Sequence, residues 1–128
     1  MEDGQEWREM TATYSCRVKS VAKLRERWAT EAKRSKLHRD LAWGNCSHFH
    51  PWLKKEGDAL VVTLTRIAPG ALSGDNLQSA LQATRNGVTE WLDVDDSDGR
   101  ITWTYAQEKG APKYYGVRIT IDRIQGGA

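Results

Sequence analysis

The segment from residue 58 to residue 105 constrains the fold most strongly, because its pattern of apolar residues changes twice. Residues 58–67 (DALVVTLTRI) are rich in β-branched residues and predict a buried strand, which a Pro-Gly pair shortly afterwards ends. Residues 75–92 carry apolar side chains at helical spacing, and residues 101–105 are again typical of a strand. This order of strand, helix and strand indicates a domain with one layer of sheet and one layer of helix.

The flanking segments extend this order to β-α-β-α-β-β. Residues 11–18 and 114–124 alternate in polarity and contain β-branched residues, so each predicts a strand. Ser20 is a favourable helix N-cap, and the apolar spacing after it predicts a helix that runs to Trp43 and stops at Gly44. We predict an α+β domain of two layers, in which a small mixed sheet of about four strands is packed by two main helices. The predicted organisation is a flexible lead-in at residues 1–10, a single domain at 11–124 and a tail at 125–128.

Charge is divided unevenly along the chain, although the formal net charge is only +2. Residues 17–39 contain nine Lys or Arg residues and two Glu residues, whereas residues 75–98 contain six acidic residues and one Arg. A basic segment can hold a phosphate backbone and an acidic cluster can hold a metal ion, so this division is typical of a metal-dependent nuclease. A solvated helix face and an acidic surface loop would produce the same division.

Acidic residues lie on both sides of the predicted helix at 75–92. Asp75 lies at its start, and Asp95 and Asp96 lie beyond its end, so pairing of the flanking strands would bring them together. Carboxylates gathered in this way repel one another unless a divalent cation lies among them. Two structural interpretations stay open, because Asp75 is also a favourable N-cap and because Asp residues are common in turns. The second interpretation applies to Asp93, Asp95, Asp96 and Asp98.

The same motifs, in the same order, resemble the RusA family of Holliday-junction resolvases over residues 60–124. That family has Asp-x-Asp-Asn near a helix start, a Lys within the helix, and a closing Asp-Asp before a strand. The pairs that match here are Asp75-Asn76 and Asp95-Asp96. The resemblance implies a homodimeric endonuclease that cleaves branched DNA with Mg²⁺, or with Mn²⁺. It also implies that Asp75, Asp95 and Asp96 are the catalytic residues and the metal ligands.

Two departures from the family pattern occur at catalytic positions. Ser73 occupies the position of the first Asp and Ser79 that of the Lys, which removes one metal ligand and one positive charge near the phosphate. Arg85 and Arg66 are the nearest basic residues that could replace the Lys. We therefore expect cleavage to be slow, altered in its metal requirement, or absent. The alternatives are a retired nuclease fold that binds DNA or a protein, and a small regulator of other proteins with no DNA role.

Basic residues supply the candidate contacts to the DNA backbone. The first four lie within two turns of the first predicted helix, and the last two lie in a basic loop that we predict to be mobile at residues 107–113. The candidates are Lys33, Arg34, Lys36, Arg39, Arg66, Arg85, Lys109 and Lys113. A solubilising helix face is the alternative for the first four. No sequence-specific DNA-reading motif accompanies them.

Cysteine and histidine residues offer a weaker alternative site. Cys46, His48 and His50 lie within five residues and Cys16 could join them, but their spacing does not match the paired ligands of structural zinc. Two cysteines do not form a disulfide framework, and no apolar run is long enough to span a membrane. We therefore expect no membrane partner and a cytoplasmic location with reduced thiols.

Overall fold

The computed structural model describes residues 9–18, 28–49, 59–95 and 98–124. The elements in chain order are β1 (Glu9–Ser15), α1 (Trp28–Cys46), β2 (Ala59–Ala68), α2 (Gly74–Ala80), α3 (Gln82–Leu92), β3 (Ile101–Lys109) and β4 (Gly116–Ile124). The four strands form one mixed sheet in the order β1-β4-β2-β3. The predicted class, an α+β domain of two layers, is confirmed.

The core lies between one face of the sheet and the helices. Side chains of the two central strands alternate, so that Val62 and Leu64 of β2 and Ile119 and Ile121 of β4 are fully buried. Val62 is paired with Ile121, and Leu64 is paired with Ile119, which places all four on the same face. Apolar residues of the helices complete this cluster, namely Ala42, Leu77, Ala80, Leu81, Val88, Trp91 and Leu92.

The connection between β2 and β3 fixes where the rest of the chain lies. These two strands pair in parallel, with Leu60 opposite Ile101 and Ala68 opposite Lys109. A parallel pair requires a crossover that returns the chain to the starting end, and α2 and α3 form that crossover. The start of α2 therefore lies at one end of the strands, and the end of α3 lies at the other.

The helix predicted over residues 75–92 is divided into α2 and α3 at Leu81. This residue has φ −99° and ψ 6°, outside the helical region, while its side chain stays fully buried. Helix α3 then ends at Leu92, and Asp93 adopts the left-handed conformation that often follows a helix. Asp adopts this conformation more readily than most residues other than glycine, because its short polar side chain can hydrogen-bond locally.

Helices α1 and α3 cross at Gly87. A Cβ atom at this position would lie 2.3 Å from the carbonyl oxygen of Arg39 and 2.8 Å from the Cβ atom of Ala42. Glycine weakens a helix relative to alanine, but here it permits a close approach that no larger residue would allow.

Several predicted boundaries differ from the observed ones. The predicted stop of the first helix at Gly44 is wrong, because α1 continues to Cys46. Residues 107–109 were predicted as part of a loop, but β3 extends to Lys109 because it pairs with β2 over its full length. Strand β1 begins at Glu9, inside the predicted lead-in, and β4 begins at Gly116. The predicted helix start at Ser20 and the predicted tail at 125–128 lie outside the described residues.

Candidate functional site

The predicted carboxylate ligands do not come together in one chain. Asp75 lies in the first turn of α2, just beyond the end of β2, whereas Asp95 lies between α3 and the start of β3. Because β2 and β3 are parallel, these positions lie at opposite ends of strands about 30 Å long. The predicted proximity of Asp75 to Asp95 is therefore wrong within a single chain. Asp96 lies outside the described residues. No group of three His, Cys, Asp or Glu residues suited to a metal ion occurs in the described part of the chain.

Asp75 is exposed and is not the N-cap of its helix. Ser73 occupies the N-cap position with an extended backbone, and its carbonyl oxygen accepts the first helical hydrogen bond from Leu77. An acidic side chain in the first turn interacts favourably with the helix dipole. Ser79 follows Asp75 by four residues, so the two side chains lie on the same face of α2.

The loop before Asp75 is held by a residue that the sequence analysis did not single out. The side-chain amide of Gln107 donates to the carbonyl oxygen of Leu72 at 2.8 Å, and its oxygen accepts from the Leu72 N–H at 2.8 Å. These two bonds tie the approach to α2 to strand β3. A polar residue near the end of a strand that is paired with a buried strand was the available signal.

The acidic turn after α3 has a structural explanation for part of its charge. Asp98 accepts a hydrogen bond from the Arg100 N–H at 2.9 Å, and its carboxylate lies 3.3 Å from the Arg100 guanidinium. These contacts lower the pKa of Asp98. Asp93 is the left-handed residue at the end of α3. The turn interpretation therefore holds for Asp93 and Asp98, and Asp95 is exposed between them.

The four basic residues of α1 divide into two pairs. Arg34 and Arg39 are half-buried and line a cleft between α1 and the α2–α3 pair, with a volume of about 360 Å³. Lys33 and Lys36 are exposed, and the Lys36 ammonium lies 2.7 Å from the carboxylate of Asp40. Only the arginine pair therefore contributes to a concave surface.

The cleft combines positive charge with neutral polar groups from all three helices. The lining side chains that carry this character are Arg34, Ser35, His38, Arg39, Ser79, Gln82 and Asn86, and the acidic Glu31 also lines the cleft. His38 is buried, and both its burial and the nearby Arg34 lower its pKa. The imidazole is therefore neutral at neutral pH. In the sequence, His38 lies among the basic residues of the first helix, and no role was predicted for it.

Arg66 does not lie on a DNA-accessible surface. Its side chain is buried, and its guanidinium donates to the carbonyl oxygen of Gly70 at 2.7 Å and to the side chain of Gln107 at 3.4 Å. A third, longer bond of 3.5 Å reaches the carbonyl oxygen of Val18. These contacts join the end of β2 to neighbouring loops, so the prediction that Arg66 contacts DNA is not supported.

Arg85 is also engaged within the fold. Its guanidinium lies 4.4 Å from the centre of the Trp103 ring and donates to the Tyr105 hydroxyl at 3.0 Å. Lys109 is the last residue of β3 and Lys113 follows four residues later. Both are exposed, at the same end of the strands as Asp75. These two lysines remain available to a partner at that end.

The candidate zinc ligands are thiols in apolar surroundings. Burial raises the pKa of Cys46 to about 12 and that of Cys16 to about 11, so neither is a thiolate at neutral pH. His48 is exposed, and His50 lies outside the described residues. Among the helices that the structure describes, none is long and apolar enough to cross a membrane.

No protein-family model and no curated protein matches this chain. Two solved structures of thiamine-monophosphate kinase show weak backbone similarity. The enzyme from Aquifex aeolicus has 10% sequence identity and a TM-score of 0.44, over 92% of this chain and 33% of that chain. The enzyme from Stenotrophomonas maltophilia K279a has 16% identity and a TM-score of 0.36, over 94% of this chain and 33% of that chain. The chain thus spans about one third of each kinase, and similarity at this level carries no functional argument.

Proposed function

We propose that this protein is a RusA-like, metal-dependent endonuclease that acts as a homodimer on branched DNA, with cleavage weakened by Ser73 and Ser79. The observation that carries the proposal is the position of Asp75, which lies one helical turn before Ser79 beside the arginine-lined cleft. A carboxylate for a metal ion and cations for a phosphate then occupy neighbouring surfaces.

The homodimer is an essential part of this proposal. Asp75 and Asp95 of one chain do not fit a single Mg²⁺ or Mn²⁺ ion, because they lie at opposite ends of the parallel strands. A two-fold dimer that placed Asp75 of one protomer beside Asp95 of its partner would supply two carboxylates to one such ion. When bound, the ion would polarise a DNA phosphate and activate a water molecule. Trp43, which is exposed on α1, suits a dimer contact.

A mixing experiment tests the shared site with a synthetic four-way junction and Mg²⁺ or Mn²⁺. The variants Asp75→Asn and Asp95→Asn should each be inactive alone, because every shared site then lacks one carboxylate. A heterodimer of the two should regain activity, because one of its two sites contains both native carboxylates. Two inactive variants that stay inactive after verified subunit exchange would contradict a shared site. Asp96→Asn can be substituted for Asp95→Asn in the same design.

A second candidate function is DNA binding without cleavage. The absence of the family's first Asp and of its Lys, at Ser73 and Ser79, favours this alternative. Junction binding in a gel shift without cleavage in either metal would support it. Restoring the family pattern with Ser73→Asp and Ser79→Lys should then raise cleavage above that of the starting protein. If the starting protein does not bind a junction at low salt, both functions are wrong and a protein partner becomes the better hypothesis.

A further inference from the structure

The cleft between α1 and the α2–α3 pair has the shape and position of a ligand site. The crossing at Gly87 brings the Arg39 backbone against α3, and Arg39 and Asn86, the residue before Gly87, both line the cleft. Its volume of about 360 Å³ lies at the small end of the range for ligand pockets. A phosphate group is therefore a ligand of suitable size.

Charge in the cleft favours an anion. Arg34 and Arg39 are both half-buried, so their attraction to an anion is screened less than that of a fully exposed side chain. A planar guanidinium also binds two phosphate oxygens at once. Two acidic side chains oppose them, since Glu31 lines the cleft and Glu90 lies 3.8 Å from Arg39. The Arg39–Glu90 pair is long and solvent-exposed, so a phosphate can replace the carboxylate at small cost.

His38 provides an additional hydrogen-bond donor in the wall of the cleft. The residue is only 5% exposed and lines the cleft. A neutral imidazole carries one N–H donor, and a phosphate oxygen in the cleft would accept a hydrogen bond from it. The charged side chains that line the cleft with His38 are Arg34, Arg39 and Glu31 of its own helix, and Glu90 of α3 lies 3.8 Å from Arg39.

We propose that this cleft binds a backbone phosphate of DNA through Arg34, His38 and Arg39, and that the two arginines supply from α1 the positive charge that Ser79 does not supply from α2. Ser79 lines the same cleft, so a lysine at that position would project towards the same phosphate. The identity of the ligand rests on the proposed function. The cleft and its charges do not.

The test compares two double variants that remove the same charge from the same helix. Arg34→Gln with Arg39→Gln empties the cleft of cations, whereas Lys33→Gln with Lys36→Gln changes only exposed positions. Binding to a fluorescently labelled four-way junction is measured by anisotropy over a series of salt concentrations. Each neutralised phosphate contributes about 0.9 to the slope of log affinity against log salt, so loss of the single phosphate held in each cleft should lower the slope by about 0.9 per protomer, and the control should change much less. Equal losses in the two variants would overturn the proposal and assign the charges to a diffuse basic face.

A rescue experiment separates loss of a site from loss of folding. Adding Ser79→Lys to Arg34→Gln should restore junction affinity, because the new ammonium enters the same cleft. The control adds Ser79→Lys to Lys33→Gln, where no comparable restoration is expected. Equal gains in both backgrounds would contradict a shared phosphate position.

The contribution of His38 is tested by pH. Lowering the pH from about 7.5 to about 5.5 should strengthen junction binding more in the starting protein than in His38→Gln, since a bound phosphate favours the protonated imidazole. An identical pH dependence in both proteins would remove His38 from the site. If the starting protein shows no junction binding at any salt concentration, the proposed function fails. If it binds but the cleft variant equals its control, only the cleft proposal fails.

Discussion

Replacing Gly87 by alanine tests the close crossing of α1 and α3 that borders the cleft. The new Cβ atom would lie 2.3 Å from the carbonyl oxygen of Arg39, whereas real Cβ contacts are essentially never shorter than 3.0 Å. The two helices must therefore separate by roughly 0.7 Å, because backbone of α1 cannot rotate away as a side chain can. Overpacking of this kind costs about 3 kcal/mol at the upper end of its usual range, and the better helix propensity of alanine returns about 1 kcal/mol. We expect Gly87→Ala to lose about 2 kcal/mol of unfolding free energy.

Gly44→Ala is the matched control, because Gly44 lies inside α1 and a Cβ atom there would meet nothing within 4 Å. Only the propensity gain of about 1 kcal/mol applies, so the two variants should differ by about 3 kcal/mol. Urea unfolding followed by tryptophan fluorescence and by far-ultraviolet circular dichroism measures both. With a slope of about 2 kcal/mol per molar urea, the midpoints should differ by about 1.5 M. Equal stability of Gly87→Ala and Gly44→Ala would refute the observed crossing of the helices.

Three further predictions concern the assigned roles of single side chains. The thiols of Cys16 and Cys46 should react slowly with an aromatic disulfide reagent at about pH 8 in the native protein and fast in urea, because burial raises the pKa of both. Arg85→Met should lower the unfolding free energy by about 1 kcal/mol through loss of the contact with Trp103, while junction affinity is unchanged. Weaker junction binding at unchanged stability would instead show that Arg85 contacts DNA. Asp98 has a lowered pKa, so its stabilising contribution is complete above its ordinary pKa of 3.8 and is lost as the pH falls through its lower, folded value. Urea unfolding below about pH 4 should therefore depend less on pH in Asp98→Asn than in the starting protein.

The strands and helices were predictable where one periodicity dominates the sequence. The β-branched run at 58–67 and the alternation near residue 119 both lie in central strands, where burial on one face enforces the pattern. Helix α1 passed its predicted stop because Gly44 is accommodated in the helix and the Asn45 side chain donates back to the Leu41 carbonyl oxygen at 2.8 Å. The polar end of β3 is part of the strand because its partner β2 continues to Ala68. This pairing is a tertiary effect that the β propensity of the segment alone does not predict.

The sequence did contain a signal for the buried position of Arg66. The residue lies two positions after Leu64 and four after Val62, so strand alternation places all three on the face that packs against the helices. The charge of Arg66 indicated a surface contact, but the periodicity of the strand indicates a buried position. The buried guanidinium donates hydrogen bonds to the carbonyl oxygens of Gly70 and Val18, which reduces the cost of its burial. Neither residue belongs to β2, so the pattern of the strand does not indicate these bonds.

The parallel direction of β2 and β3 determines which carboxylates can share a metal site. It also leads to a specific prediction for the products of the mixing experiment. In an antiparallel pair, β3 would begin at the end of the sheet where β2 stops. A connection that contains two helices is instead typical of a parallel pair, and the parallel direction of β2 and β3 separates Asp75 from Asp95. In a shared site, random exchange of equal amounts of Asp75→Asn and Asp95→Asn makes about half of the dimers mixed, each with one intact site and one doubly altered site. A dimer with one working site cuts one strand of a four-way junction, so the expected product is nicked junction rather than two resolved duplexes. Denaturing gels would show strand cleavage, while native gels would show the junction still four-armed. No strand cleavage after verified subunit exchange would mean that each chain holds its own site, contrary to the positions of its two carboxylates, whereas resolution into duplexes at the rate of the starting protein would mean that neither carboxylate is needed.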